Sequence, residues 1–145
     1  MARRPLLLMI PGLTLAAFVL GCGDGRPQRL PVSGRVLIDG KPVEHGFVRV
    51  IPANDRPASG ALGPDGRFTL TTFDPGDGCV AGKHPVTIIA CELINPQSQR
   101  WHAPKQYGNP NTSKLEVDIT GETDAMVIDL TWGEEEPFVE QFDEE

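Results

Sequence analysis

Positively charged residues are scarce in this chain of 145 residues. Lys and Arg number 13 against 20 Asp and Glu, so the formal net charge at pH 7 is −7. Proteins that bind nucleic acid by neutralising its phosphates carry a basic patch or stripe, and so acidic a chain has no such stripe. The composition therefore excludes nucleic acid as a partner.

Long stretches without Gly or Pro are also missing. Between residues 32 and 132 no segment free of both exceeds 11 residues. The chain has 16 Gly and 14 Pro, about a fifth of its residues, against a usual share of roughly 12%. Because these residues interrupt helix interiors at a cost of about 1 and 3 kcal/mol each, a helical bundle is excluded. The length allows one domain only.

The longest charge-free apolar run, Pro5 to Leu20, is too short for a permanent membrane span. It has 16 residues and contains a Pro-Gly pair, whereas a spanning helix needs about 20 apolar residues. Arg3 and Arg4 precede it, as in the positive region of an export signal. We therefore expect residues 1–21 to be a cleaved signal peptide.

The apolar run ends in Val19-Leu20-Gly21-Cys22, which resembles the lipobox of bacterial lipoproteins. The resemblance implies that the Cys22 thiol receives diacylglycerol, that the chain is cut before it, and that the freed amine is acylated. Two or three acyl chains anchor a protein stably, since each buried CH₂ contributes about 0.8 kcal/mol. We expect an exported protein held by membrane lipid, facing the periplasm or the cell surface. The alternative is an ordinary secretory signal with a chance cysteine.

Two flanking segments differ in composition from the centre of the chain. Residues 22–31 comprise the lipidated cysteine and a Gly- and Pro-containing stretch that predicts a flexible tether. Residues 133–145 hold seven acids and no Lys or Arg, which predicts a solvated, disordered tail. Phe138, Val139 and Phe142 interleave with those acids, so a partner-docking segment is the alternative for the tail.

Between the flanks, apolar and polar residues alternate with a period of two, which predicts β-strands. The dipeptide Asp39-Gly40 predicts a tight hairpin, because both positions of such a turn need a left-handed backbone. The predicted strands are Val32–Asp39, Val48–Val50, Ala58–Leu62, Arg67–Thr72, Lys83–Glu92, Leu115–Ile119 and Ala125–Trp132. Seven short strands in about 100 residues predict an all-β fold, a seven-stranded antiparallel sandwich of two sheets over residues 32–132.

Four motifs follow one another in this central region. They are Val32-Ser33-Gly34-Arg35-Val36, Asp39-Gly40-Lys41-Pro42-Val43, Gly66-Arg67-Phe68 and Gly82-Lys83-His84-Pro85-Val86-Thr87-Ile88. In this order they resemble carboxypeptidase regulatory-like domains, which share a transthyretin-like (prealbumin-like) sandwich. The similarity is in particular to small bacterial envelope lipoproteins and covers about residues 30–132. It implies a fold and lipid anchoring, and it brings no catalytic residues and no cofactor.

Cysteines are few, and only Cys79 and Cys91 remain after Cys22. In an oxidising compartment an even count favours a disulfide. If residues 84–91 form a strand, however, they extend more than about 20 Å, whereas bridged Cα atoms lie within about 7 Å. Only a loop folding back along the strand would allow the bridge, so we expect two small buried thiols. Zinc binding by the two thiols with His84 is not favoured, because structural zinc ligands are usually spaced two to four residues apart.

Asp74 and Asp77 lie in a Gly-containing loop and are the candidate calcium ligands. Carboxylate oxygens suit Ca²⁺, but the 12-residue calcium-loop pattern is missing. Asp residues in hairpin loops more often bond their own backbone. We therefore expect an ordinary turn, and no metal or cofactor.

Reaction-specific motifs are lacking as well. Ser59 stands in Ala58-Ser59-Gly60, without the G-x-S-x-G frame that presents a nucleophile at a strained turn. His45, His84 and His102 have no sequence neighbour that marks one of them as a general base. The sequence predicts a protein that is not an enzyme.

Aromatic residues are few, and two of them, Trp101 and Tyr107, lie in the longest irregular stretch, 95–114. Exposed loop aromatics on a rigid sandwich can stack against sugar rings, so these two are the candidate ligand-binding residues. Alternatively, either ring could close one end of the sandwich. The function predicted first is a non-catalytic structural or protein-interaction module with an envelope protein as partner. A glycan-binding module is the alternative.

Overall fold

The computed structural model describes residue 23 and residues 25–142, and in this part the chain is all-β. The strands are β1 Arg29–Leu30, β2 Val32–Ile38, β3 Lys41–Pro42, β4 Phe47–Val50, β5 Ala58–Ala61, β6 Arg67–Thr69, β7 Cys79–Val80, β8 Gly82–Ile89, β9 Cys91–Asn95, β10 Ser98–Trp101, β11 Leu115–Ile119, β12 Thr123–Leu130 and β13 Phe138–Gln141, with one 3₁₀ turn at Lys105–Gly108. No helix among the described residues could span a membrane. The predicted signal peptide and Cys22 lie outside the described residues.

Two larger sheets enclose the core, an arrangement consistent with a β-sandwich. One has the strand order β11-β8-β4-β5, and the other has the order β12-β2-β3, with β6 paired to β2. Alternate residues of β2 are buried, as the period of two predicts. The main core side chains are Val32, Val36, Val48, Val50, Phe68, Leu70, Val86, Ile88, Ile119, Ile128 and Leu130.

The described residues form thirteen strands, whereas the sequence predicts seven. Each predicted strand has a counterpart, but the one predicted over Lys83–Glu92 ends at Ile89, and β9 starts after Ala90. The six additional strands have two to five residues and leave most of their side chains exposed or half-buried. The count of seven is not confirmed, because strands this short and exposed carry no period-two signal and are not predicted by alternation.

One strand pair departs from the predicted antiparallel arrangement. β2 and β12 run parallel, with Val36 opposite Ile128. Gly34 permits this pairing, because a Cβ atom there would lie 2.1 Å from the carbonyl oxygen of Met126. Alternation of apolar residues predicts which face of a strand is buried and carries no information on strand direction.

The hairpin between β2 and β3 confirms the predicted tight turn. Asp39 and Gly40 have φ values of 47° and 80°, and Ile38 lies opposite Lys41. Two consecutive positive φ angles define the type I′ turn, whose twist matches that of the flanking strands.

The folded body begins earlier than the predicted tether allows. Leu30 in β1 pairs with Cys79 in β7, and a Cβ atom at Gly78 would lie 1.7 Å from the Leu30 carbonyl oxygen. The Arg29 guanidinium donates to both carboxylate oxygens of Asp55, at 3.0 and 3.2 Å. The end of the segment predicted as a flexible tether (22–31) is therefore part of the body, because a backbone pairing and a largely buried ion pair hold it.

The C-terminal flank also differs from its prediction. Phe138–Gln141 forms β13, which pairs antiparallel with β10 in a three-stranded sheet of order β13-β10-β9. The prediction of a disordered tail is wrong for these residues, because β13 pairs with β10 and Glu140 meets three hydrogen-bond donors from β10 and the 3₁₀ turn. Residues 143–145 lie outside the described residues.

Candidate functional site

His45, Glu92 and His102 form a cluster of metal-ligand side chains. The Nε2 atoms of His45 and His102 lie 3.8 and 3.2 Å from Glu92 Oε2. The two imidazole rings have centroids 4.7 Å apart and planes tilted by 35°. All three side chains are partly exposed, so the cluster is open to solvent. We call these three residues the His-Glu cluster.

Backbone contacts around Ala90 bring the cluster together. The N–H of His102 donates to the Ala90 carbonyl oxygen at 2.7 Å, which fixes the chain after β10 beside the start of β9. Gly46 crosses the end of β8 so closely that a Cβ atom would lie 1.9 Å from the Ile89 carbonyl oxygen. Its φ of 118° is a conformation that other residues rarely adopt. His45 is thereby placed against the junction of β8 and β9.

Glu92 is the charged centre of the His-Glu cluster. The hydrogen bond from His102 Nε2–H holds the pKa of Glu92 below its usual range, and the nearby His45 and Arg100 act in the same direction. The Arg100 guanidinium reaches to 4.0 Å from Glu92 Oε2. At neutral pH this carboxylate is therefore ionised and can accept hydrogen bonds or bind a cation together with the two imidazoles.

The His-Glu cluster could not be predicted from the sequence. Its members lie before β4, in β9 and after β10, and only the tertiary fold joins them. Gly46 beside His45 is the one local signal, since a glycine next to a strand start often marks a close backbone approach.

The two predicted ligand-binding aromatics do not form a shared platform. Tyr107 is 7% exposed, and its hydroxyl donates to the Thr131 carbonyl oxygen at 3.2 Å. The prediction that it stacks a sugar ring is wrong, because the ring packs into the core. Tyr107 instead closes one end of the sandwich, which is the alternative given above.

Trp101 is half-buried beneath the C-terminal strand. Its indole Nε1–H donates to Glu140 at 2.9 Å, and its ring lies 6.2 Å from that of Phe138, nearly parallel. The Lys105 ammonium lies 5.2 Å from the Trp101 ring centroid and also bonds Glu140. These contacts hold the indole between β13 and the 3₁₀ turn.

The candidate calcium loop is an Asx-type turn. The Asp77 carboxylate accepts the backbone N–H groups of Thr72, Phe73 and Asp74 at 2.7, 3.0 and 3.1 Å. Burial alone raises the pKa of Asp77, but these hydrogen bonds outweigh it and the pKa falls below its usual range. The Asp77 oxygens thus satisfy backbone donors of their own loop.

Cys79 and Cys91 are free thiols. Cys79 is fully buried in β7, and burial raises the pKa of both thiols, so they are protonated at neutral pH. His84 is buried in β8, with Nε2 at 2.9 Å from the Val80 carbonyl oxygen. Among the described residues only the His-Glu cluster brings three potential ligands together, so the set Cys79, His84 and Cys91 does not assemble.

Ser59 lies inside β5, where it pairs with Arg49 and forms a bridge with Thr71. A strand interior is regular backbone, unlike the strained turn that presents a catalytic nucleophile.

Two of the concave regions on the surface of the described residues are relevant here. The first, which we call the apolar groove, has a volume of about 320 Å³ and lies on the outer face of the β11-β8-β4-β5 sheet. Phe47 and Ile89 lie opposite each other there and are 61% and 45% exposed. The second is a cleft of about 600 Å³ at one end of the sandwich, bounded by Pro27, Asp55 and His84 among others.

No protein-family model, curated protein or solved structure matches this chain.

Proposed function

We propose that the protein is a lipid-anchored cell-envelope β-sandwich that acts as a non-catalytic structural or protein-interaction module. The observation that carries the interaction part is the apolar groove, and the lipobox-like sequence ending at Cys22 supports the anchoring part. The proposal assigns the chain no reaction.

We further propose that the sandwich is of the carboxypeptidase regulatory-like, transthyretin-like type. The motif resemblance supports this, together with the agreement between those motifs and the turns. The Asp39-Gly40 motif forms the β2–β3 hairpin, and Gly66, with φ of 75°, ends the turn that leads into β6.

The short connection to Cys22 would hold the body close to the membrane. Only residues 23–28 separate Cys22 from β1, and six residues span at most about 20 Å. Arg26 and Arg29 in this region stack on the Phe73 ring, with guanidinium carbons 4.2 and 4.5 Å from its centroid. These contacts, with the Arg29–Asp55 ion pair, give the body a defined attachment point.

The apolar groove supplies the surface for a partner protein. Exposed apolar side chains that share a concave, polar-rimmed region are suited to contact a partner. The exposed ring of Phe47 and side chain of Ile89 are bordered by Arg49 on the same strand as Phe47. A partner that inserts apolar side chains between Phe47 and Ile89 would bury this area.

The anchoring part predicts that Cys22→Ala moves the protein from the membrane pellet to the soluble fraction. The matched control is Cys91→Ala, which removes a thiol of β9 and should leave the protein in the pellet. Fractionation with immunoblotting measures this, and a Cys22→Ala protein that stays in the pellet contradicts the lipoprotein assignment.

The interaction part is tested with a photo-crosslinking amino acid placed at Phe47 or Ile89 in living cells. Both positions should yield the same discrete adduct, since the two side chains are neighbours. Val127 is the control, because it is 55% exposed and lies on the other sheet. Absence of an adduct in the groove, or an equal adduct at Val127, is evidence against the proposal.

A further inference from the structure

The His-Glu cluster has the composition of a transition-metal site. Two imidazole nitrogens and one carboxylate oxygen suit borderline ions such as Zn²⁺, Cu²⁺ and Ni²⁺, whereas Ca²⁺ and Mg²⁺ take oxygen ligands only. Three protein ligands with a position left for water form the open type of zinc site.

The distances fit this chemistry. Zinc ligands lie 2.0–2.2 Å from the metal, so tetrahedral neighbours are about 3.4 Å apart. The separations from Glu92 Oε2 are 3.2 Å to His102 Nε2 and 3.8 Å to His45 Nε2, on either side of that value. All three ligand atoms lie within 4.8 Å of one another, so small rotations of exposed side chains bring them onto one ion.

We propose that His45, Glu92 and His102 bind one divalent transition-metal ion, with Zn²⁺ as the representative ligand. The fourth position is open to solvent, because the three side chains are 26–41% exposed. Binding does not depend on the acylation of Cys22 or on a partner in the apolar groove, so this proposal stands apart from the proposed function.

The Arg100 guanidinium faces the carboxylate of the cluster, 4.0 Å from Glu92 Oε2. The positive charge of Arg100 competes with a bound metal ion for Glu92 and repels that ion. Arg100→Gln keeps all three ligands and should therefore tighten metal binding, by about fivefold at low ionic strength. A purely structural role of the histidines predicts no such change.

The test is Zn²⁺ binding to the tag-free full chain, purified in mild detergent and measured by competition with a chromophoric chelator. The wild type should bind one equivalent. His102→Ala and Glu92→Gln should each weaken binding at least about tenfold, since even loss of an outer-shell partner costs 10–100-fold. Glu116→Gln, an exposed glutamate of β11, is the matched control and should bind as the wild type.

Imidazole ¹⁵N spectra identify the ligands directly. Zn²⁺ should shift the ring nitrogens of His45 and His102 and leave those of the buried His84 unchanged. The inference is overturned by absence of saturable binding to the wild type. It is equally overturned by binding that survives in His102→Ala, or by unchanged affinity in Arg100→Gln.

Discussion

The sandwich body and the β13-β10-β9 sheet differ in what holds them. In the body, apolar side chains from two sheets meet in one core, and Val36, Val48 and Val50 have no solvent exposure. In the three-stranded sheet, only Ser98 is fully buried, and Leu93 is 68% exposed. Hydrophobic burial therefore stabilises the body.

In the three-stranded sheet, one carboxylate adds side-chain contacts to the backbone pairing of β13 with β10. Glu140 accepts hydrogen bonds from Gln99 and Trp101 at 2.8 and 2.9 Å and also bonds Lys105. The bond from Lys105, followed by those from Gln99 and Trp101, lowers the pKa of Glu140 to about 2. The chain thus combines a core-stabilised region with an edge strand held by backbone pairing, a ring stack and polar side-chain contacts.

The largest contrast is expected between two leucines. Leu70 is fully buried, so Leu70→Ala should lower the free energy of unfolding by about 2–5 kcal/mol. Leu93→Ala removes the same atoms from the three-stranded sheet, where they are exposed. It should change the free energy of unfolding by less than about 0.5 kcal/mol. Urea denaturation followed by circular dichroism measures both, and equal losses would mean that the two regions share one core.

A smaller loss in the free energy of unfolding is expected at Gly34, where two strands of the body approach each other closely. Gly34→Ala places a methyl group against the backbone of β12 and should destabilise the protein by about 1–3 kcal/mol. Gly121→Ala is the matched control, because a Cβ atom there meets nothing within 4 Å. A neutral Gly34→Ala protein is incompatible with the parallel pairing of β2 and β12.

The same contrast explains how much of the molecule could be predicted from its sequence. Alternation of apolar residues predicts the longer strands of the body, and the dipeptide Asp39-Gly40 predicts its turn correctly, because burial and turn chemistry are local signals. β13 was missed because its contacts come from Gln99, Trp101 and Lys105, far away in the sequence. The His-Glu cluster was missed for the same reason, since His45 and His102 meet only through the fold.

Removing the Glu140 charge should detach β13 without unfolding the body. Glu140→Gln cannot form an ion pair with Lys105, so the backbone amide of Phe138, which faces β10, should lose protection from hydrogen exchange while that of Val48 keeps it. Glu136→Gln neutralises another acid of the same flank and is the control. Unchanged protection of the Phe138 amide in Glu140→Gln would show that backbone pairing alone holds the strand.

The smallest effect is expected when acid protonates the Glu140 carboxylate and so weakens its contacts with β10 and Lys105. Because the pKa of Glu140 is lowered in the folded state from 4.5 to about 2, its contribution to the attachment of β13 is fully present above pH 4.5. That contribution is lost progressively as the pH falls from 4.5 through about 2. The indole N–H resonance of Trp101 reports this loss, since that group donates to Glu140. In Glu140→Gln the transition of the Trp101 indole resonance should vanish. A transition that persists in this variant must come from other carboxylates, and Glu140 would then not be the group that distinguishes the attachment of β13 from the body.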